Sequence, residues 1–235
     1  MSTLLHAIRM VEFTSVVTPP LARLWRAGLD TAPSADEQAW LSDDERARAQ
    51  RFVFDRDRQR FLAAHCALRA LLSRQTGLAP HAIRFSLGPY GKPFLVPAAC
   101  SFNLSHSADV ALMAVAREGE LGIDVEMLRP MPDALELARH NYTSAERQEL
   151  LDTPAAQRDL AFLYGWTRKE ACLKAIGSGL SLPAQSVDAG LAPAPRIVPV
   201  DLGSTCISVL VQSFLLDQNI VGAVAKVLAD PKEIP

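Results

Sequence analysis

Twice in 235 residues a long helical pattern runs into a glycine, then into leucine and proline, and then into β-structure. The first ends at Gly77-Leu-Ala-Pro80, the second at Gly179-Leu-Ser-Leu-Pro183. Glycine tolerates the left-handed backbone that closes a helix, and proline cannot continue one, so each set is a stop signal. Before the first stop, from Asp55 to Gln75, the residues Phe61, Leu62, Cys66, Leu68, Leu71 and Leu72 form an apolar stripe at helical spacing. The repeat is longer than solenoid periods. It predicts an α/β (α+β) chain of two pseudo-symmetric lobes, each a small, mostly antiparallel sheet packed on a long helix. The lobes are expected to divide near residues 117–120, as 1–118 and 119–235, with a small-molecule cleft where they meet.

Local signals fill in this frame. Ser34-Ala-Asp-Glu37 and Ser42-Asp-Asp-Glu45 are capping boxes that open helices. Strands are expected near Met10–Val17 (ended by Pro19-Pro20), at Ala82–Ser86, Ser101–Leu104, Val110–Ala116 and Leu121–Glu126, with turns at Gly88–Pro93 and Gly119. Helices follow around Asp133–His140 and Ser144–Leu151, and Pro154 is expected to open the helix that ends at Gly177-Ser178-Gly179. Two last strands, Thr205–Leu215 and Ile220–Leu228, flank a turn at Asp217-Gln218-Asn219.

Within the second long helix, Trp166, Glu170 and Lys174 lie four residues apart and share a stripe. Alone, Glu170 and Lys174 would read as a surface ion pair worth a few tenths of a kcal/mol. A second acidic stretch, Leu121-Gly-Ile-Asp-Val-Glu126, changes that reading. On a strand Asp124 and Glu126 share one face while Ile123 and Val125 pack behind. Asp124, Glu126 and Glu170, without His or Cys, suit Mg²⁺ or Mn²⁺, and a nearby lysine would offset phosphate charge. Reaction at a phosphate or pyrophosphate follows from that chemistry.

Other stretches discriminate less. Phe102-Asn-Leu-Ser-His-Ser107 lacks the G-x-S-x-G elbow of a Ser–His hydrolase. It reads either as a strand end capped by its own hydroxyls or as a polar edge that binds phosphate oxygens. Gly91-Lys92-Pro93 is not a P-loop. Arg46, Arg48, Arg51, Arg56, Arg58 and Arg60 form a basic cluster interleaved with Asp43, Asp44, Asp55 and Asp57, so most are expected to be solvated or paired. With a net charge of −2 and few interleaved aromatics, neither nucleic acid nor membrane is indicated as a partner. Hydrophobic residues at 49% and charged ones at 21% fit a soluble protein, with no secretory signal pattern and no apolar run long enough for a span. The four cysteines (Cys66, Cys100, Cys172, Cys206) are scattered without metal spacing, which points to reduced thiols and a cytoplasmic location.

Gly122-Ile-Asp-Val-Glu126, followed by Trp166-Thr-Arg-Lys-Glu-Ala-Cys-Leu-Lys174, resembles the signature of the 4′-phosphopantetheinyl transferases. Arg51-Phe52, Arg60, Tyr90-Gly-Lys-Pro93, Phe102–Ser107 and Gly177–Pro183 extend the resemblance over roughly residues 45–230. Length and doubling resemble the larger, surfactin-synthetase-activating (Sfp-like) type rather than the short trimeric synthases. The resemblance implies a holo-[acyl-carrier-protein] synthase activity. Coenzyme A would be the donor, Mg²⁺ the cofactor, and the serine of an apo acyl or peptidyl carrier protein of fatty-acid, polyketide or nonribosomal-peptide synthesis the acceptor. It carries metal ligation onto Asp124, Glu126 and Glu170, and pyrophosphate contact onto Lys174. Arg60, Lys92, Pro93, Ser105 and His106 would contact coenzyme A, the first lobe serving its nucleotide and 3′-phosphate. Arg46 or Arg48 would replace lysines that meet that phosphate in relatives. Glu170 is the candidate base toward the carrier serine, with a metal-bound water as the alternative. Asn141–Glu146 departs from the paired aromatics of relatives and is expected near the carrier-docking surface. Because the doubled lobes build the site from one chain, a monomer is expected. The competing readings are a Mg²⁺-dependent pyrophosphate hydrolase acting on coenzyme A and a non-catalytic carrier- or coenzyme A-binding protein.

Overall fold

The computed structural model describes residues 10–13, 16 and 21–228. The chain begins with strand β1 (Met10–Glu12) and β2 (Arg23–Gly28), then short helices α1 (Ala35–Gln38) and α2 (Asp43–Ala49) and the 22-residue α3 (Asp55–Thr76). A hairpin of β3 (Phe85–Leu87) and β4 (Pro93–Leu95) leads to β5 (Ser101–Ser107) and β6 (Val110–Ala116). The second half follows with β7 (Leu121–Met127), α4 (Ala134–Asn141), α5 (Ser144–Asp152), the 19-residue α6 (Arg158–Ile176), β8 (Arg196–Asp201), β9 (Cys206–Leu216) and β10 (Ile220–Leu228). Two antiparallel sheets result, ordered β1-β2-β6-β5 and β7-β10-β9-β8. A shared core of strand, long helix and two paired strands recurs, as β2, α3, β5, β6 and as β7, α6, β9, β10, in keeping with the doubled stop signals.

The alternation of strand side chains stacks these parts into layers. One face of the first sheet (Trp25, Phe102, Met113, Val115) meets Cys66, Leu71 and Leu72 of α3. Its other face (Leu24, Leu112, Ala114) packs on Ile123, Val125, Phe214 and Val224 of the second sheet. The far side of that sheet (Val209, Val211, Ala223, Ala225) receives Ala171, Cys172 and Ala175 of α6. The order is helix, sheet, sheet, helix, and the middle core belongs to both halves. Gly77 and Gly177 close α3 and α6 with the same left-handed φ of 74°.

A buried ion pair anchors each long helix, and the two are built alike. In the first half the capping-box Glu45 of α2 accepts from Arg69 of α3 at 2.7 and 2.9 Å and meets His65 Nδ1 at 2.9 Å. Arg69, 1% exposed, also donates to the carbonyls of Pro80 and Ile83 beyond the glycine stop. In the second half the capping-box Glu146 of α5 meets Lys169 of α6 at 2.6 Å, and Lys169 donates to the carbonyls of Ala184 and Val187 beyond its own stop.

Several boundaries differ from expectation. The first strand ends at Glu12, and Pro19-Pro20 lie outside the described residues. Pro80–Ala82 is a 3₁₀ turn, so the next strand starts only at Phe85. Pro154 precedes another such turn, Ala155–Gln157, and α6 begins at Arg158. β5 runs on through Ser107, which overturns the reading of residues 105–107 as a self-capped strand end. β2 and β8 were not foreseen: arginines interrupt the first, and Pro199 lies in the second, tolerable on an edge strand.

Burial alone would raise the Glu45 carboxyl, but His65, Arg69 and the Ser42 amide together bring it down from 4.5 to about 2. A depressed carboxyl stabilises the fold above its unfolded value and loses that contribution as pH falls toward its folded one. Glu45→Gln should cost about 3 kcal/mol near neutral pH, since it strands the Arg69 charge. In urea titrations the gap between variant and wild type should shrink between pH 4.5 and about 2; a gap independent of pH would refute this account.

Candidate active site

β5 and β7 are the edges where the two sheets meet, and no backbone ladder joins them. Side chains close the seam. Asn103 Oδ1 accepts from the Ile123 amide at 2.9 Å, the Ser105 hydroxyl donates to Asp124 Oδ1 at 2.9 Å, and that of Ser107 to Glu126 Oε2 at 3.1 Å. Alternate residues of one strand thus hold a backbone amide and the two carboxylates of the other, while Phe102 and Leu104 pack toward α3.

Helix α6 covers the same seam because Gly122 lets it approach. A Cβ on Gly122 would lie 1.9 Å from the Ala171 carbonyl oxygen. From that helix Lys174 Nζ reaches Asp124 Oδ1 at 2.6 Å and Ser105 Oγ at 3.1 Å. Lys174 thus bonds the strand carboxylate rather than forming the surface pair with Glu170 that the helix read alone would suggest. Among the described residues Glu170 has no ion-pair or hydrogen-bond partner. Thr167, Arg168 and Lys169, within the same motif, are all buried. Arg168 donates to Ala189 O at 2.7 Å and Ala194 O at 3.1 Å, so it is part of the framework. Sequence reasoning gave Arg168 and Lys169 no part; a buried cation is hard to tell from a surface one by spacing alone.

Two adjoining cavities share Leu104, Trp166, Glu170 and Lys174. The smaller, about 380 Å³, adds Ser105, His106, Asp124 and Glu126. The larger, about 460 Å³, adds Tyr90, Lys92, Pro93, Asn141, Leu182 and Pro183. Arg46, Arg48 and Arg60 line neither. Arg46 pairs with Asp43 and Arg60 with Asp30, while Arg48 lies over the Phe61 ring at 5.3 Å. Lys92 pairs with Glu120. Within Asn141–Glu146, Tyr142 and Glu146 are buried, and Asn141 alone of that segment lines the larger cavity.

Charges crowd the smaller cavity. Burial pushes the Asp124 carboxyl above its ordinary range, against the pull of Lys174 and Ser105. Burial, then the Asp124 charge, raises Glu126. Glu170 is raised by burial, by Asp124 and by Glu126, with Lys174 opposing. Desolvation and the charges of His65, Lys174 and Arg48 hold the His106 imidazole below its usual value. Among the described residues no three His, Cys, Asp or Glu side chains are already gathered as a metal-ligand set: Asp124 is turned to Lys174, and Glu126 to Ser107 and to Arg129 at 3.6 Å. A cation nonetheless suits these residues. Asp124 Oδ2 is buried and, among the described residues, has no hydrogen-bond partner, a state that is costly unless something completes it. The donors are all carboxylates, which favour a hard divalent ion.

Two variants test the seam. Lys174→Met should move the Asp124 carboxyl further up in a ¹³C-detected titration, and an unchanged value would mean the pair does not form. Gly122→Ala should lift α6 from β7 and destabilise by about 3 kcal/mol, as overpacking against rigid backbone does; a melting temperature equal to wild type would contradict that contact.

Comparison with known proteins bears on what this arrangement serves. The family profile described as the 4′-phosphopantetheinyl transferase superfamily matches residues 120–222, and that of the 4′-phosphopantetheinyl transferase N-terminal region matches residues 32–118. The 4′-phosphopantetheinyl transferase HetI of Nostoc sp. is 38% identical over 78% of this chain and 83% of its own. A putative 4′-phosphopantetheinyl transferase of Synechocystis sp., slr0495, is 38% identical over 69% of this chain and 67% of its own. The 4′-phosphopantetheinyl transferase Sfp of Bacillus subtilis is 34% identical over 65% of this chain and 64% of its own.

Proposed function

The chain belongs to the 4′-phosphopantetheinyl transferase superfamily, of the Sfp-like type, and from that premise we propose how its residues carry the reaction. It is an enzyme that transfers the 4′-phosphopantetheine group to carrier proteins. The donor is coenzyme A, the acceptor a serine hydroxyl of an apo acyl or peptidyl carrier domain, and the by-product 3′,5′-ADP. The observation that carries this reading is the meeting of Asp124, Glu126, Glu170 and Lys174 on one small cavity at the seam.

Asp124, Glu126 and Glu170 would hold Mg²⁺, or Mn²⁺ in its place. When bound, the cation supplies neutralisation of pyrophosphate charge in the transition state. Lys174, one helical turn beyond Glu170, is placed to follow the pyrophosphate with its ammonium and stabilise the charge that grows on the leaving group. Ser105 and His106 offer a hydroxyl and an imidazole to phosphate oxygens from the opposite strand. Arg46, Arg48 and Arg60 form the basic approach to the nucleotide end, on the α2–α3 side. Glu170 would be the base toward the carrier serine when it shifts off the cation: its carboxyl is raised by burial and neighbouring charge, and among the described residues no ion pair or hydrogen bond holds it. A raised carboxyl is better matched to a proton acceptor at neutral pH. The larger cavity, with Trp166, Leu173 and Leu182, adjoins Glu170 and gives the pantetheine arm an apolar wall.

The protein acts as a monomer, because one chain supplies β5, β7 and α6 to the site; a stable dimer in light scattering would refute that. No described helix is long and apolar enough to cross a membrane. Cys66 and Cys172 are buried free thiols pushed up to about 12, chiefly by burial, and suit a reducing cytoplasm.

Intact-mass measurement of apo carrier domains incubated with coenzyme A, Mg²⁺ and the protein provides the test. A gain of one phosphopantetheine is expected, abolished by EDTA and in Asp124→Ala. Coenzyme A consumed without carrier modification would instead establish a hydrolase, and coenzyme A bound without turnover a binding protein.

A further inference from the structure

We infer that Lys92 is a positioning residue that sets the distance between β7 and α6, and so places Lys174 against Asp124; this rests on the transferase reading above. Lys92 follows the tight turn between β3 and β4, in which Gly91 has a φ of 83°. From there its side chain spans three parts of the molecule. The ammonium donates to Glu120 Oε2 at 2.6 Å and to the Ala175 carbonyl at 2.9 Å. Its stem passes so close to the α6 stop that a Cβ on Gly177 would lie 3.2 Å from Lys92 Cδ.

Each contact has a physical consequence. Ala175 O is one of the last four carbonyls of α6, which have no partner inside the helix. A cation there also meets the negative end of the helix dipole. Glu120 immediately precedes β7, and its carbonyl accepts from the Val227 amide of β10 at 2.9 Å, so its backbone is fixed to the second sheet. The ammonium thus ties the strand of Asp124 and Glu126 to the helix of Glu170 and Lys174. Lys174 is the residue immediately before Ala175. With its side chain 17% exposed and two partners in hand, Lys92 is engaged by the protein itself rather than held out toward a ligand. The resemblance of Gly91-Lys-Pro93 to a coenzyme A-binding loop assigns it the other role, and the two roles predict different kinetics.

The experiment compares Lys92→Met, which keeps the stem, with Glu120→Gln, the double variant and Lys92→Arg, in steady-state transfer to a carrier domain. Lys92→Met is expected to lower kcat about tenfold while KM for coenzyme A stays within about twofold, since small misplacement of reacting groups costs rate more than affinity. Glu120→Gln should fall in the same direction, the double variant should be no worse than Lys92→Met alone, and Lys92→Arg should regain most of the rate. A rise in KM of about tenfold or more with kcat preserved, and a neutral Glu120→Gln, would make Lys92 a substrate ligand and overturn the inference. If the wild type modifies no carrier, the transferase reading fails by itself. Urea unfolding of the same variants then decides the strut, with coupled losses supporting it and additive losses overturning it.

Discussion

Both halves of the molecule depend on one interaction: a glutamate that caps a short helix and, with the same carboxylate, holds a cation inside the next long helix. Glu45 does this for Arg69 and Glu146 for Lys169. The cations go on to bind carbonyls of the chain after each helix stop, Pro80 and Ile83 in one half, Ala184 and Val187 in the other. A buried charge is tolerable only when its hydrogen bonds are complete, so the short helix, the long helix and the returning loop must all be in place together. In the second half the consequence is functional. Glu146 also accepts from the amides of Ala189 and Gly190, and Lys169 lies beside Glu170 in sequence, so this network orients the face of α6 that carries Glu170 and Lys174.

Much of this was written in local signals. The capping boxes at Ser34, Ser42 and the glycine stops at 77 and 177 stand where their chemistry put them. The faces of β7 follow from alternation: Ile123 and Val125 enter the inter-sheet core, while Asp124 and Glu126 reach the cavity. What local pattern could not supply was the choice between partners. Lys174 is four residues from Glu170, yet it is drawn to Asp124, because a fully buried carboxylate gains more from an ammonium than a partly buried one does. Ser105 and Ser107 read as a strand end until β7 is brought beside them. Arg168 and Lys169 sit in a run of charges that looks solvated, and only the loop at residues 184–194 shows why they are inside. Each miss is a long-range contact overruling a sound local expectation.

The same long-range contacts explain why carboxylates of such unfavourable mutual charge persist. The Asp124 charge raises Glu126 and Glu170, Glu126 adds to the rise at Glu170, and among the described residues Lys174 is the one lysine lining that cavity to offset them. In the free protein the lysine and the β5 hydroxyls share the compensation. A polyanionic substrate that draws the lysine toward itself would leave the carboxylates in need of another cation, so affinity for the two would be linked by charge alone.

The seam between β5 and β7 also guards the molecule. Each strand is the outer edge of its own sheet, and such edges invite pairing with any extended chain. Here each edge is occupied by the other, through Asn103, Ser105 and Ser107 instead of a backbone ladder. Either half expressed alone would present an unpaired strand edge to its neighbours in solution. Duplication thus gave each half a built-in cover against self-association, and the crevice left by that imperfect fit holds the chemistry.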